Sequence, residues 1–208
     1  MKSRFGKEFR FYREGVFLLS LLIIPLIYQF IKPETPFELI FSTLAFYWVV
    51  PFLIVRFVLQ ENIYFLGFRE GKFGQGLSGA LVGWLVFYPI LNFLSDQPEF
   101  QNAYPLFDFM KESPAGLLWG EFAVMLPAFW GVQTFLFGYA YLGLGRIIGR
   151  SRALLFLGLI GIPLFYLGNP PVEIILSSLA GLVACWIMNR SRSVFYPIVF
   201  GWGLSAML

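Results

Sequence analysis

Long apolar runs separated by short polar breaks organise the chain. A helix needs roughly 20 largely apolar residues to cross the hydrocarbon core of a bilayer. Seven windows approach that length: Val16 to Ile31, Phe37 to Leu59, Leu77 to Ser95, Leu117 to Leu144, Ala153 to Gly168, Val172 to Met188 and Val194 to Leu208. The pattern predicts an all-α fold, a polytopic transmembrane helix bundle of about seven spans, with residues 1–208 forming a single membrane domain. The fifth and seventh windows are short, which suits tilted or partly re-entrant segments. The first runs into Lys32-Pro33-Glu34-Thr35-Pro36 with no small-residue cleavage pattern, so it is expected to stay as an anchor.

Composition agrees with this pattern. The chain is 58% hydrophobic and 20% aromatic but only 13% charged, far from the balance of a soluble domain. Its 26 Phe and 21 Gly fit lipid-facing and helix-packing surfaces, because small residues let transmembrane helices approach closely.

Charge gives the bundle a direction. Lys2, Arg4, Lys7, Arg10 and Arg13 precede the first window. Arg56, Arg69 and Lys72 fall at the second-to-third connection, Arg146, Arg150 and Arg152 at the fourth-to-fifth, and Arg190 and Arg192 at the sixth-to-seventh. Lys32 and Lys111 alone fall on the other side, where Asp96, Glu99, Asp108 and Glu112 collect. Basic residues are retained on the cytoplasmic side of short loops, so the asymmetry predicts a cytoplasmic N-terminus and an external C-terminus. Residues 1–14 read as a basic cytoplasmic arm, either lying at an anionic membrane surface or forming an ordinary cytoplasmic flank. The loop from Asp96 to Ala115, with three prolines and several aromatics, is a candidate outer cap or partner contact.

Several chemistries are excluded by what is missing. The chain has no histidine, and so lacks the commonest general base, transition-metal ligand and haem ligand. The single cysteine, Cys185, excludes an intramolecular disulfide framework. No Walker-type loop or cysteine cluster is present, and Gly71, Gly74 and Gly76 sit in a charged stretch rather than after a strand. The net charge of +3 follows membrane topology better than nucleic-acid binding. No cofactor, metal or nucleic acid is therefore expected. The expected partners are membrane lipids and another integral membrane protein.

At several places over residues 60–208 the sequence resembles the CPBP family of intramembrane proteases, also called the CAAX protease and bacteriocin-processing or Abi family. Leu66-Gly67-Phe68-Arg69-Glu70-Gly71 looks like the short loop before that family's core. Val132-Gln133-Thr134-Phe135-Leu136-Phe137-Gly138 looks like its Glu-Glu-x-x-x-Arg-Gly segment, and Phe165-Tyr166-Leu167-Gly168-Asn169 takes the place of Phe-x-x-x-His. Pro171-Val172-Glu173, Ala180-Gly181-Leu182, Arg190-Ser191-Arg192-Ser193 and Pro197-Ile198-Val199-Phe200-Gly201 resemble the penultimate helix, basic turn and final helix. The last of these normally ends in His-x-x-x-Asn and here reads Gly201-Trp202-Gly203-Leu204-Ser205.

For an active member the resemblance implies a glutamate that activates water, assisting histidines and a polar side chain for the oxyanion, work that needs a base and aimed donors. By position, Val132 and Gln133 replace the two glutamates, Phe137 the arginine, Asn169 the first histidine, Gly201 the second and Ser205 the asparagine. None of these is a general base near neutral pH. Gln133 and Asn169 keep amide groups suited to helix–helix contacts or to lining a residual cavity.

The remaining acids are Glu121, about 18 Å along a helix from Gln133, and Glu173, placed to cap the start of the sixth helix. Either is a polar or partner contact, with catalysis as the weaker alternative. Arg56 reads as a snorkelling residue. Phe135, Phe137, Tyr139 and Tyr141 read as a stripe for lipid contact or core packing, with a bound pigment or lipid as the alternative.

The sequence thus points to a noncatalytic CPBP-like scaffolding or assembly subunit of a membrane complex, in a bacterial cytoplasmic membrane. An active CAAX-type endopeptidase with a rearranged site and a lipid-binding or transport module are the alternatives.

Overall fold

The computed structural model describes residues 2–31, 33–95, 113–166 and 171–205, with side chains described from residue 12 onward except at 95, 114 and 205. The described residues form helices joined by turns and short irregular segments. We number them α1 (Lys2–Tyr28), α2 (Pro36–Val58), α3 (Phe73–Ser95), α4 (Ala115–Ile147), α5 (150–165), α6 (Pro171–Ser191) and α7 (Phe195–Ser205). A short 3-10 turn, Ile63–Leu66, sits between α2 and α3.

Four of these helices, α2, α3, α4 and α6, are long and apolar enough to cross a membrane. The chain is a membrane protein by the length and composition of those helices and by its surface. Leu22 and Leu26 of α1, Phe37 and Phe41 of α2, Leu85 and Phe93 of α3, and Leu159 of α5 all face outward. Apolar exposure of that extent around a bundle needs lipid rather than water.

Helix α4 is the central pillar. All eight residues from Thr134 to Tyr141 are buried, and a helix buried on every side has neighbours on every side. Phe135, Phe137, Tyr139 and Tyr141 do not form a stripe, because residues two apart project to opposite faces of a helix. Phe135 meets Tyr47 and Phe165 at ring-centroid distances of 5.2 and 6.4 Å, and all four rings lie in the core rather than at lipid.

Glycines set how closely the neighbours approach α4. A Cβ at Gly131 would stand 2.8 Å from the Thr43 carbonyl of α2, one at Gly138 2.5 Å from the Leu66 carbonyl, and one at Gly143 2.2 Å from the Phe17 ring of α1. The Ser20 and Tyr139 hydroxyls, 2.6 Å apart, add a polar link between α1 and α4. On the other flank α3, α6 and α7 pack mutually, with Trp84 Nε1 of α3 donating to the Phe200 carbonyl of α7 at 2.9 Å.

Three of the long helical stretches widen just before a proline. Proline has no N–H and its ring collides with the carbonyl four residues back. The chain responds with π-helical turns at Ala45–Val49, Gly120–Met125 and Leu157–Gly161, preceding Pro51, Pro127 and Pro163. In each, the residue before the proline donates five residues back, Val50 to Ala45, Leu126 to Glu121 and Ile162 to Leu157. The helices therefore continue through the prolines.

The basic connections gather at one end. Glu61 pairs with Arg13 at 3.9 Å and Arg146 at 3.4 Å, tying the base of α1 to the ends of α2 and α4. Arg146 also lies over the Phe65 ring, and Arg150 donates to Asn189 at 3.2 Å. Since α2, α4 and α6 all finish there, α1 and α5 must each carry the chain back to the opposite end. Residues 2–14 continue as the first half of α1, so the expected arm is helical. Helix α3 also starts earlier than expected and takes in Gly74 and Gly76.

Candidate functional site

Two places in the bundle hold polar groups that packing alone does not explain. One is the buried amide of Gln133. The other is a group of exposed arginines at the basic end.

Gln133 ends the α-helical stretch Leu126–Gln133, immediately before the eight-residue π-helical run Thr134–Tyr141. It is 7% exposed, and its Oε1 and the Thr134 hydroxyl are buried and make no hydrogen bond among the described residues. A Cβ at Gly201 of α7 would stand 2.4 Å from Gln133 Nε2 and 3.4 Å from Phe129. The fold thus brings Gln133 and Gly201 together across 68 residues of sequence. Phe137, one turn further, is fully buried, and Val132 is packed at the edge of the core. Ser205 is the last residue of α7, with its side chain outside the described residues, and Asn169 lies outside them, as does most of the loop from Asp96 to Ala115.

The two acids lie apart from this pair. Glu121 is 8% exposed in the π-turn Gly120–Met125, and its backbone carbonyl accepts from Trp202 Nε1 at 3.1 Å while Phe122 packs edge-on to that indole. Glu173 is 9% exposed in the first turn of α6, two residues after Pro171 at its start, where the helix dipole favours a carboxylate. Gln133 makes no hydrogen bond with either carboxylate among the described residues. Proton transfer needs a base within hydrogen-bond reach of the reacting group. At this contact the Gln133 amide is packed directly against Gly201 beside the Phe129 ring. Among the described residues, no three Cys, Asp or Glu side chains gather as a metal site would require.

At the basic end, the loop 67–72 is clipped onto the turn 191–194. Val194 N–H donates to the Gly67 carbonyl at 3.1 Å, Lys72 N–H to the Ser191 carbonyl at 2.7 Å, and Arg69 Nε to the Arg192 carbonyl. Tyr196 adds a bond from its hydroxyl to the Glu70 carbonyl at 3.0 Å. The clip requires Gly71, whose φ is +65° and whose Cβ position lies 2.3 Å from the Ser191 carbonyl. Arg192 itself holds a φ of +60°, a conformation that costs a non-glycine residue roughly 1–2 kcal/mol. Arg69, Arg150 and Arg192, all exposed, come together here with Tyr141, Leu142, Met188 and Asn189, packed closely enough to leave no room for a water molecule between them. Sequence reading placed these arginines on one side of the membrane. It had no signal for which three converge, because they come from three different connections.

No protein-family model matches the chain, and neither a curated protein nor a solved structure matches it.

Proposed function

We propose that the chain is a noncatalytic, CPBP-protease-like protein of a bacterial cytoplasmic membrane, acting as a structural or assembly subunit of a membrane protein complex. In this reading it crosses the bilayer seven times, with the N-terminus inside and the C-terminus outside. The observation that carries the reading is the contact between Gln133 and Gly201. By the resemblance these positions hold a glutamate and a histidine in an active protease. Here they meet as an amide and a hydrogen atom, a pair unable to take up and release a proton at neutral pH. The clip between the loop 67–72 and the turn 191–194 supports the same frame, since it joins two further segments that carry the resemblance.

Seven crossings are supported by the return paths. Helix α1 presents Leu18, Leu22, Ile23 and Leu26 outward, and α5 presents Leu155, Leu159 and Ile160, so both have lipid-facing sides as well as a path between the two ends. At 16 residues α5 is about 24 Å long, enough for a thinned or locally adapted bilayer.

The test is purification of the intact chain in mild detergent, followed by reconstitution in liposomes with prenylated and unprenylated peptide substrates. We expect a second integral membrane protein to copurify in fixed proportion and peptide products to stay at background by mass spectrometry. Cleavage that disappears in Gln133→Ala, Glu121→Gln or Glu173→Gln would overturn the proposal and establish a rearranged hydrolase.

A further inference from the structure

Helix α1 carries apolar residues past the point where lipid accounts for them. Its bundle side is made by Phe17, Ser20 and Ile24, all buried, and its opposite side is exposed at Tyr12, Leu19 and Ile23. Within a bilayer that exposed side needs only acyl chains. The helix, however, runs unbroken from Lys2 to Tyr28, while Arg13, paired with Glu61, marks the basic end of the bundle. At 1.5 Å per residue, Phe9 and Phe5 come about 6 and 12 Å further along the axis than Arg13, in a stretch otherwise rich in Lys, Arg and Glu.

The apolar positions also keep a register. Phe5, Phe9, Tyr12, Val16, Leu19 and Ile23 follow one another at alternate steps of four and three, and Leu26 continues the series. This is the heptad seam of a coiled coil, which holds one face toward a partner helix, whereas a lipid-facing side needs no such repeat. In heptad letters Phe9, Val16 and Ile23 take position a, and Phe5, Tyr12, Leu19 and Leu26 take position d. Within the apolar half of the helix this puts β-branched residues at a and leucines at d, the combination that favours two parallel strands.

Charge is arranged around the same seam. Arg4, Lys7 and Arg10 fall at c, f and b, away from it, and Lys2 ends it at the next a position. From residue 6 to residue 15 the flanking e and g positions hold Gly6, Glu8, Arg13 and Gly15. Glu8 at g and Arg13 at e are opposite charges five residues apart, the spacing at which a g residue meets the e residue of a parallel partner. Arg13 reaches Glu61 of its own chain at 3.9 Å with 27% of its side chain exposed, so it stands between the bundle and the seam. Two copies embedded in one bilayer point the same way at the same depth, which supplies the parallel, in-register alignment that the pairing needs.

We propose that a second copy of this chain covers the outer face of α1, the two helices pairing along the seam from Phe5 to Leu26 with Glu8 of each copy set against Arg13 of the other. The pairing does not depend on whether the chain is catalytic, so it stands or falls separately from the function proposed above.

The test places single cysteines in the full chain carrying Cys185→Ser, adds a disulfide-forming oxidant to membranes containing the protein, and scores dimer on a nonreducing gel. Phe5→Cys, Phe9→Cys and Tyr12→Cys are expected to give about fivefold more dimer than Lys7→Cys, Phe11→Cys and Glu14→Cys, which fall at f, c and f. Phe11 makes the comparison independent of aromatic character. Equal cross-linking at all six positions, or none at the three seam positions, overturns the pairing. A product with the mass of one copy plus a different protein gives the seam to another partner and overturns it as well.

A second arm exchanges the flanking charges between two differently tagged copies, Glu8→Arg in one and Arg13→Glu in the other. Mixed pairs keep both opposite contacts, while each self-pair sets like charges together. Mixed dimer is expected to exceed either self-dimer about fivefold, the size of one or two exposed ion pairs. A statistical mixture of the three dimers overturns the parallel register. A thermal melt of each variant checks that the bundle survives, and the cysteine comparison decides the pairing even where Arg13→Glu unfolds the chain.

Discussion

A methyl group at position 201 would stand 2.4 Å from Gln133 Nε2, inside any permitted contact, so either the amide or α7 must move. Gly201→Ala is expected to cost about 1–3 kcal/mol, the usual range for overpacking a filled core. Gln133→Ala frees that space, so the double variant should be more stable than the two single effects predict. Denaturation in micelles across the four proteins measures this coupling. Additive effects would mean that the two residues do not touch. A second pair isolates the loop clip. Gly71→Ala places a Cβ at a φ of +65° and 2.3 Å from the Ser191 carbonyl, whereas nothing lies within 4 Å of a Cβ at Gly74. Gly71→Ala should destabilise by more than about 1 kcal/mol, while Gly74→Ala, in a helix, should be neutral or mildly stabilising. At this scale the resemblance had named Gln133 and Gly201, and the fold puts the two in contact. The meeting of Arg69 with Arg192 was not legible, since nothing local indicates which residues distant in sequence will touch.

Helix edges show a similar division between what hydropathy sees and what it misses. The window from Phe37 to Leu59 matches α2, Pro36–Val58, almost residue for residue. Helix α4 outgrew its window from Leu117 to Leu144 at both ends, becoming Ala115–Ile147. Its start is built by Ser113, whose hydroxyl accepts from Gly116 N–H at 3.0 Å, and by Pro114 at the first helical position. Such caps are polar or neutral residues, invisible to a search for apolar runs. The π-turns before Pro51, Pro127 and Pro163 are hidden for another reason: proline marks where a helix is disturbed but does not say how the chain will absorb it. The attachment of α1 is a further packing result. It depends on the Phe17 ring filling the space over Gly143 and on the bond between Ser20 and Tyr139. Ser20→Ala should cost about 0.5–1.5 kcal/mol, in line with polar contacts between membrane helices. Hydrogen exchange should rise along α1 while α4 stays protected, because the lost bond loosens the peripheral helix rather than the pillar. Uniform change across both helices would argue against this division.

Over the whole molecule, the charge asymmetry and the fold agree on one point that neither supplies alone. On a seven-span reading thirteen of the fifteen lysines and arginines fall on one side, and the ion pairs of Glu61 with Arg13 and Arg146 join three of the segments concerned at one end of the bundle. The physical end is thus set by contacts, whereas its cytoplasmic location rests on the positive-inside rule. Cysteine labelling separates these two claims. The native Cys185 is fully buried and should resist a maleimide reagent until the protein unfolds; replacing it with serine then leaves a clean background. In that background Lys72→Cys lies at the basic end, before α3, and Ser113→Cys lies at the opposite end, before α4. An impermeant maleimide added to the outside of intact cells should label Ser113→Cys and spare Lys72→Cys, with both labelled after permeabilisation. The reverse pattern would keep the bundle and invert its orientation. Labelling of both from outside would remove α3 as a crossing and with it the count of seven. A tag following Leu208 extends the same logic to α7, the shortest of the helices. Because α6 returns the chain to the basic end, the tag is exposed outside only if the remaining residues complete a seventh passage.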